Sequence, residues 1–277
     1  MSVLLMSFAA EGLAAKVFSW RESDGQRHYS DSAPAGLGAQ EMLLAERGLY
    51  AVTKIYDGDT VLLDNHLKVR LLSINTPELE RYNKLGEAGG ERARERLRRL
   101  LSGQKVRLEK DLESQDKYGR TLGHIFTAAG VHINLEMVKS GWATVNIHPP
   151  NVNYSQAMLT AQQEAQALHL GLWGMADYQP KRIVTVLEKR HYGWQRLIGT
   201  IHSAQMKRKY VYLGVDVDKL MVRIPLANLS FFPDVMTYIG KEVEIRGWVS
   251  RRGKTRSVLV RHPSALLVRS CGGKQRC

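Results

Sequence analysis

The chain of 277 residues has few cysteines and no long apolar run. Its two cysteines, Cys271 and Cys277, lie at the very end without a neighbouring histidine, which argues against a zinc site. They either close a small disulfide, which an oxidising compartment permits, or remain free thiols. Because no run of about 18 apolar residues occurs, we expect no integral membrane segment in the mature chain.

Acidic residues are scarce in the last third of the chain. Residues 1–180 carry 20 Lys and Arg against 21 Asp and Glu, whereas residues 181–277 carry 20 against 6. The net charge of +13 therefore belongs to the C-terminal region. Such a region predicts a polyanionic partner, either nucleic acid or an anionic membrane surface. Nothing in the sequence predicts a protein partner.

The N-terminal residues indicate export. Residues 1–15 form a short apolar stretch that ends in small residues, which is typical of a secretory signal peptide. A periplasmic or secreted protein is therefore expected. Glu11 and the lack of basic residues at the start argue against a signal peptide, and the alternative is that residues 1–15 form a first strand or a helix. Residues 16–47 predict a small β-hairpin module, turning at Asp24-Gly25, and a linker. This segment resembles a module of unknown function at the front of many exported bacterial proteins.

Residues 55–78 carry the most informative pattern of the chain. Two strand-like runs, 60–63 and 67–74, flank a polar turn and predict a β-hairpin. Carboxylate and amide oxygens at its ends suit a hard cation such as calcium, and an arginine fork suits a phosphate. The polar residues concerned are Asp59, Arg70, Asn75, Thr76 and Glu78.

Four motifs in sequence order resemble the staphylococcal nuclease (thermonuclease) family. Taken alone, Asp57-Gly58-Asp59 is typical of a turn, and Thr76-Pro77-Glu78 is typical of a helix start. The resemblance covers residues 50 to 174 and implies, for residues 48–176, an α+β fold: a five-stranded OB-type β-barrel with three helices. The motifs are Asp57-Gly58-Asp59-Thr60, Arg70-Leu71-Leu72, Asn75-Thr76-Pro77-Glu78 and Asp116-Lys117-Tyr118-Gly119-Arg120.

The resemblance also implies a catalytic site for phosphodiester hydrolysis. Ca²⁺ would be held by Asp59, Asn75 and the backbone carbonyl of Thr76. Catalysis would depend on three residues: Arg70 and Arg120 bind the phosphate, and Glu78 orients or deprotonates the attacking water. Lys117 and Tyr118 would contact the substrate. In this family the 5′ oxygen leaves, so DNA or RNA is left with 3′-phosphate ends.

Two positions depart from the family's pattern. Asn75 stands where the family has aspartate, so the site loses one negative charge and we expect weaker calcium binding. The family's tyrosine near the active site is missing, and the nearest residues are Ile147 and His148. His148 either contacts phosphate in its place or, as is commoner for a loop histidine, is merely solvated.

Residues 182–270 predict a second, mostly-β barrel of OB type, with residues 271–277 as a tail. Strand-like runs occupy residues 183–189, 197–203, 210–215, 220–224, 242–248 and 257–261. OB barrels bind nucleic-acid strands by stacking aromatic side chains in a basic groove. Tyr210, Tyr212, Arg251 and Arg252 are therefore candidate substrate-binding residues. The two tyrosines suit a groove or a barrel core equally, whereas Trp248 is expected in the core.

A nucleic-acid-binding or scaffolding protein with an inactive barrel is the alternative function. Such barrels typically lose the catalytic carboxylates and arginines, whereas Asp59, Arg70, Glu78 and Arg120 are all present. The sequence therefore favours a calcium-dependent nuclease that acts on DNA or RNA.

Overall fold

The computed structural model describes residues 48–80, 86–188, 193–216, 220–252 and 255–269, and the backbone of three strands between residues 17 and 42. The side chains of residues 186–188 and 252 are not described. The predicted signal peptide, the Arg252 side chain and the Cys271–Cys277 tail thus lie outside the described residues. The chain divides into two compact units, Met1–Leu49 and Tyr50–Cys277.

The first unit contains a three-stranded antiparallel sheet. Its strands are β1 (Val17–Arg21), β2 (Arg27–Ser30) and β3 (Gln40–Met42). β1 lies in the centre and pairs with both others. β1 and β2 form the expected hairpin, and β3 falls in the segment that the sequence predicts as a linker.

The second unit begins with a closed five-stranded barrel in the order β4-β5-β6-β9-β8. Its core side chains alternate along the hairpin strands, so that Val61, Leu63, Val69 and Leu71 are all buried. This period of two buries one face of each strand. The strands are β4 (Leu49–Ile55), β5 (Thr60–Leu63), β6 (Lys68–Leu71), β8 (Lys105–Glu109) and β9 (Thr121–Thr127).

Three helices pack against this first barrel, as the family resemblance implies. In α1, Ala93, Leu97 and Leu101 are buried at the four-residue spacing of one helix face. A two-stranded sheet of β7 (Ile74–Asn75) and β10 (Thr144–Val145) lies beside the barrel. The helices are α1 (Gly90–Leu101), α2 (Ile133–Lys139) and α3 (Ser155–Ala167).

A second barrel follows with the same connectivity as the first. Its strands pair in the order β12-β13-β14-β16-β15, and the pairing of β12 with β15 closes the ring. In both barrels the fifth strand thus pairs between the third and the fourth, the strand order of an OB barrel. The strands are β12 (Gly193–Met206), β13 (Tyr210–Val215), β14 (Leu220–Pro225), β15 (Glu242–Arg252) and β16 (Thr255–Leu259).

Short elements complete the second barrel. β17 (Leu266–Val268) pairs with β15, and 3₁₀ turns occupy Leu226–Phe231 and Val235–Tyr238. β11 (Lys181–Arg182) pairs in parallel with β12.

The strand predicted over residues 183–189 is wrong, because Ile183–Glu188 forms a short helix, α4. Its β-branched run favours a strand, yet Ile183 is buried while Val184 and Thr185 are exposed. One inward position does not give the alternating burial of a barrel strand. No helix in the described part of the chain is long and apolar enough to cross a membrane.

Candidate active site

The hairpin β5–β6 brings Asp59 and Arg70 together. Thr60 lies opposite Arg70 in the strand register, so the carboxylate of Asp59 stands beside the guanidinium. Arg70 Nη2 lies 3.1 Å from Asp59 Oδ2, and both side chains are largely buried. Arg70 also donates to the carbonyl of Leu71 at 2.5 Å. This pairing fixes one cation and one anion at the barrel surface.

The same carboxylate holds the segment after β7. Asp59 Oδ2 accepts a hydrogen bond from the backbone N–H of Thr76 at 2.9 Å, and Thr60 Oγ1 donates to Asp59 Oδ1 at 3.1 Å. Gly58 packs so closely here that an added Cβ would lie 2.8 Å from the Thr76 side chain. The glycine of Asp57-Gly58-Asp59 is therefore needed for this close approach.

Asn75 lies between Arg70 and Thr76. Its Oδ1 accepts from Arg70 Nη2 at 3.5 Å, and its Nδ2 donates to the carbonyl of Thr76 at 3.1 Å. Both residues are buried, and the pairing of Asn75 with Thr144 in β10 fixes the backbone. The three predicted calcium ligands thus share one connected set of contacts with Arg70.

This set offers oxygen atoms only, which is the chemistry that calcium requires. Burial raises the pKa of Asp57 to about 6, and the charge of nearby Asp59 adds to this rise. Two carboxylates crowded in this way gain from a cation beside them. Among the described residues, no cluster of three or more His, Cys, Asp or Glu side chains could hold a metal. With Asn75 as the third ligand, the donors fit a weak calcium site.

Glu78 lies outside the sheet, and two hydrogen bonds to Glu87 fix its backbone. Its N–H donates to Glu87 Oε2 at 3.0 Å, and its carbonyl accepts from the N–H of Glu87 at 2.8 Å. An added Cβ on Gly90 would lie 2.9 Å from that carbonyl, so the start of α1 packs directly on the segment. Glu78 follows the Thr76 contact by two residues, and its side chain is half-buried.

Arg120 reaches the site from the start of β9. Its Nε and Nη2 both lie 2.7 Å from Asp116 Oδ2. Asp116 Oδ1 accepts from the N–H groups of Tyr118 and Arg120 at 2.9 and 3.0 Å. Burial opposes ionisation of this carboxyl, but the bonds from Arg120 and then Tyr118 lower the pKa of Asp116 overall. Gly119 provides the positive φ of 76° that this turn requires.

Arg70 and Arg120 line one cavity of about 390 Å³. Lys117 and Tyr118 lie on its rim, where Tyr118 is 72% exposed and the Lys117 Nζ is 4.8 Å from the tyrosine ring centre. Arg120 also lines a neighbouring cavity of about 450 Å³ together with Asp57 and Thr60. Arg70 and Arg120 therefore line a space that is large enough for a phosphate group and its sugar.

Asp116 and Arg261 are the site residues that sequence reasoning missed. Asp116 belongs to the Asp-Lys-Tyr-Gly-Arg motif, so its signal was present in the sequence. Arg261 comes from the second barrel and lines the cavity of Arg70 and Arg120. No local pattern marks Arg261, because its role depends on how the two barrels pack.

Tyr210 and Tyr212 lie on the outer face of the second barrel, because they alternate with the buried Val211 and Leu213. Tyr212 stands opposite Arg223 in the β13–β14 register, and the ring centres of Tyr210 and Tyr212 are 6.0 Å apart. Both tyrosines are half-buried and neither belongs to the barrel core. Lys207 Nζ lies 5.4 Å from the Tyr212 ring centre, and a cavity of about 640 Å³ includes both.

Trp248 and Arg251 both lie on β15 of the second barrel. The expectation that Trp248 is a core residue is wrong, because the side chain is 37% exposed on β15. Its position alternates with the buried Val249, so the strand turns the indole outward. Arg251 is exposed on the same strand, away from Tyr210 and Tyr212 in the register.

Comparisons with known proteins agree with this geometry. The staphylococcal nuclease homologue family matches residues 68–175, and a domain of unknown function matches residues 4–47. A thermonuclease of Staphylococcus intermedius is 36% identical over 127 residues, which cover 45% of this chain and 75% of the relative.

Other relatives match the same region. A thermonuclease of Staphylococcus hyicus is 33% identical over 132 residues, covering 47% of this chain and 78% of the relative. Endonuclease YncB of Bacillus subtilis is 33% identical over 131 residues, covering 46% of this chain and 62% of the relative. With its OB-type barrel, its three helices and this degree of identity, the chain belongs to the staphylococcal nuclease homologue family.

Proposed function

We propose that the protein is a calcium-dependent nuclease that hydrolyses phosphodiester bonds of DNA or RNA and leaves 3′-phosphate ends. Family membership makes it a phosphodiesterase. The observation that best supports the rest is the placement of Arg70 and Arg120 around one cavity, with the Asp59 carboxylate 3.1 Å from Arg70.

The residues of the site match the demands of the reaction. A phosphodiester repels nucleophiles by its negative charge, and more charge develops on its oxygens in the transition state. Arg70 and Arg120 would bind those oxygens, and Asp116 would keep the Arg120 fork in place. Glu78 would orient the attacking water and accept its proton.

Asp59, Asn75 and the Thr76 carbonyl would hold the calcium. When bound, a divalent cation supplies positive charge next to the phosphate oxygens. Asp59 would serve both calcium and Arg70, so that the metal ligand set and the phosphate site share one side chain.

The second barrel would bind the same polymer. Its excess of basic residues and the outward Tyr210, Tyr212 and Lys207 support this role. Export of the protein, which the N-terminal sequence suggests, is part of the same proposal.

End-group analysis tests the chemistry of cleavage. A labelled oligonucleotide is digested with calcium, and the fragments are weighed by mass spectrometry. Fragments ending in a 3′-phosphate, with a 5′-hydroxyl on the partner fragment, are expected. Fragments with 5′-phosphates would contradict the proposed leaving group.

A further inference from the structure

Arg261 belongs to the second barrel but lines the candidate active site of the first. The segment after β16 is fixed by two hydrogen bonds: the N–H of Val260 donates to the carbonyl of Arg223 at 2.9 Å, and Asn228 Nδ2 donates to the carbonyl of Arg261 at 2.8 Å. Asn228 is buried, so this anchor is internal to the second barrel. From it, the Arg261 side chain shares a cavity with Arg70 and Arg120.

A second cavity of about 280 Å³ continues from the first. Asn146, His148 and Arg261 line both cavities, so the two spaces meet at these residues. Trp194 and Trp248, which stand opposite each other in the β12–β15 register, line the far part. We call the joined space the inter-barrel cleft: it begins at Arg70 and Arg120 and ends at the two tryptophans.

The cleft is built on a buried ionic network. Arg196 and Arg246 both donate to Glu244 at 2.7 Å, and Glu244 is 6% exposed. Arg196 also donates to the carbonyl of Tyr178 at 3.1 Å and lies 5.4 Å from the Trp173 ring centre. The bond from Arg196 to Tyr178 joins β12 to the segment that follows the last helix of the first barrel.

Only some of the arginine side chains along the cleft form an ion pair with a carboxylate. Asp59 pairs with Arg70, and Glu244 pairs with Arg246. In the part of the chain that the structure describes, no carboxylate pairs with Arg261 or Arg223, and Arg223 Nε is buried without a hydrogen-bond partner. Guanidinium groups in this situation favour an anion that brings several acceptors.

The electrostatics of the neighbouring groups agree with this arrangement. Burial lowers the pKa of Arg261, and the charge of nearby Arg223 lowers it further while Tyr210 opposes this. Partial removal from water, followed by the charges of Arg261 and then Arg70, lowers the pKa of His148. Arg70, His148 and Arg261 line the first cavity, and His148, Arg261 and Arg223 line the second.

We propose that a single-stranded polynucleotide lies along the inter-barrel cleft, with Arg261 bound to a phosphate next to the scissile one and bases stacked on Trp194 and Trp248. Stacking requires unpaired bases, because a duplex hides their faces. The inference rests on the proposed function for the position of the scissile phosphate. It extends the site from the first barrel to the second.

Binding measured by fluorescence anisotropy tests this proposal on the full chain. The probe is a labelled oligothymidylate of about twelve nucleotides, a length within the range that OB folds cover, with chelator present. The Arg261→Ala variant should bind roughly tenfold more weakly and lower the salt slope by about 0.7. Trp248→Ala should also bind roughly tenfold more weakly, because one stacked base is lost.

Arg269→Ala is the matched control. It removes the same charge from the same barrel, but Arg269 is exposed and pairs with Glu242 away from the cleft. Its affinity should stay within about twofold of wild type. Arg261→Lys keeps the charge without the fork and should fall between wild type and Arg261→Ala. Thermal melting confirms that each variant is folded.

Two results would overturn the proposal. One is an Arg261→Ala affinity equal to that of Arg269→Ala, and the other is equal affinity for the single strand and its paired duplex in the wild type. Both results come from binding measurements without calcium, so they do not depend on whether the protein hydrolyses the strand. A wild type that binds in the cleft but does not cut with calcium would refute the proposed function alone, whereas cutting with a dispensable Arg261 would refute the cleft alone.

Discussion

The Arg70 guanidinium lies 3.1 Å from the Asp59 carboxylate, and that carboxylate also accepts a hydrogen bond of 2.9 Å from the backbone N–H of Thr76. One buried side chain therefore joins Arg70 on β6 to the segment that follows β7. Any change that moves Asp59 is expected to disturb the proposed phosphate and calcium contacts together.

Removal of the Glu78 carboxylate should abolish most of the activity. In Glu78→Gln, a neutral amide replaces the group proposed to accept the proton of the attacking water, so kcat should fall roughly a hundredfold or more. Glu164→Gln on the exposed side of α3 is the matched control and should leave kcat unchanged. Turnover near the wild-type rate in folded Glu78→Gln would remove Glu78 from the mechanism.

The shape of the Arg120 side chain should matter as well as its charge. Arg120→Ala is expected to lower kcat roughly a hundredfold, because a guanidinium facing the transition-state charge is lost. Arg120→Lys should recover only part of this loss, since lysine does not offer the fork that Asp116 holds. Full recovery by lysine would show that charge alone suffices and that the contact with Asp116 is dispensable.

Asn75→Asp should tighten calcium binding by roughly tenfold, because it restores a negative charge to the ligand set. The rise in melting temperature with added calcium reports this affinity without reference to activity. Asn65→Asp on the exposed hairpin turn adds the same charge away from the site and should not change the calcium response. An identical response in both variants would exclude Asn75 as a ligand.

Acid should destabilise the fold through a buried histidine pair. His124 Nδ1 and His132 Nε2 share a hydrogen bond of 3.1 Å, and His132 stacks on Phe126 with ring centres 4.4 Å apart. Burial lowers the pKa of His124 to about 4; burial and then the His124 charge lower that of His132 to about 3. The charges of Asp111 and then Glu109 oppose the fall in the pKa of His124, and the charge of Glu109 opposes that of His132.

Because the unfolded chain takes up these protons near pH 6.5, the stability from the neutral pair is complete above that pH and is lost as the pH falls towards 4. For His124 the loss amounts to roughly 3 kcal/mol. Chemical denaturation at about pH 7 and about pH 4.5 measures it. His132→Phe should reduce the pH dependence, whereas His66→Asn on the exposed turn should keep the wild-type slope. A wild-type slope in His132→Phe would refute this account.

The motifs in the sequence predicted the first barrel and its hairpin. They also singled out Asp59, Arg70, Asn75 and Thr76, which contact one another because they lie on adjacent strands or directly after them. The second barrel followed from its strand periodicity. Trp248 was assigned to the core because an aromatic residue in a strand is usually buried, and only the register shows which face it occupies.

No local sequence pattern predicts that Arg261 lines the candidate active site. It is separated from Arg70 by most of the chain and lines the same cavity because of how the second barrel packs against the first, where Arg196 of β12 donates to the carbonyl of Tyr178. α4 is a similar case, since its β-branched residues favour a strand, whereas the structure forms a helix in which Ile183 packs on Gly199.

Digestion of plasmid and single-stranded DNA, with calcium and with chelator, tests the central claim most directly. The wild-type protein should cut both with calcium and neither with chelator, and Arg120→Ala should be slower by roughly a hundredfold or more under the same conditions. Equal cutting in chelator, or no cutting by the folded wild type with calcium, would contradict the assignment of Asp59, Arg70, Glu78 and Arg120 to a calcium-dependent nuclease site.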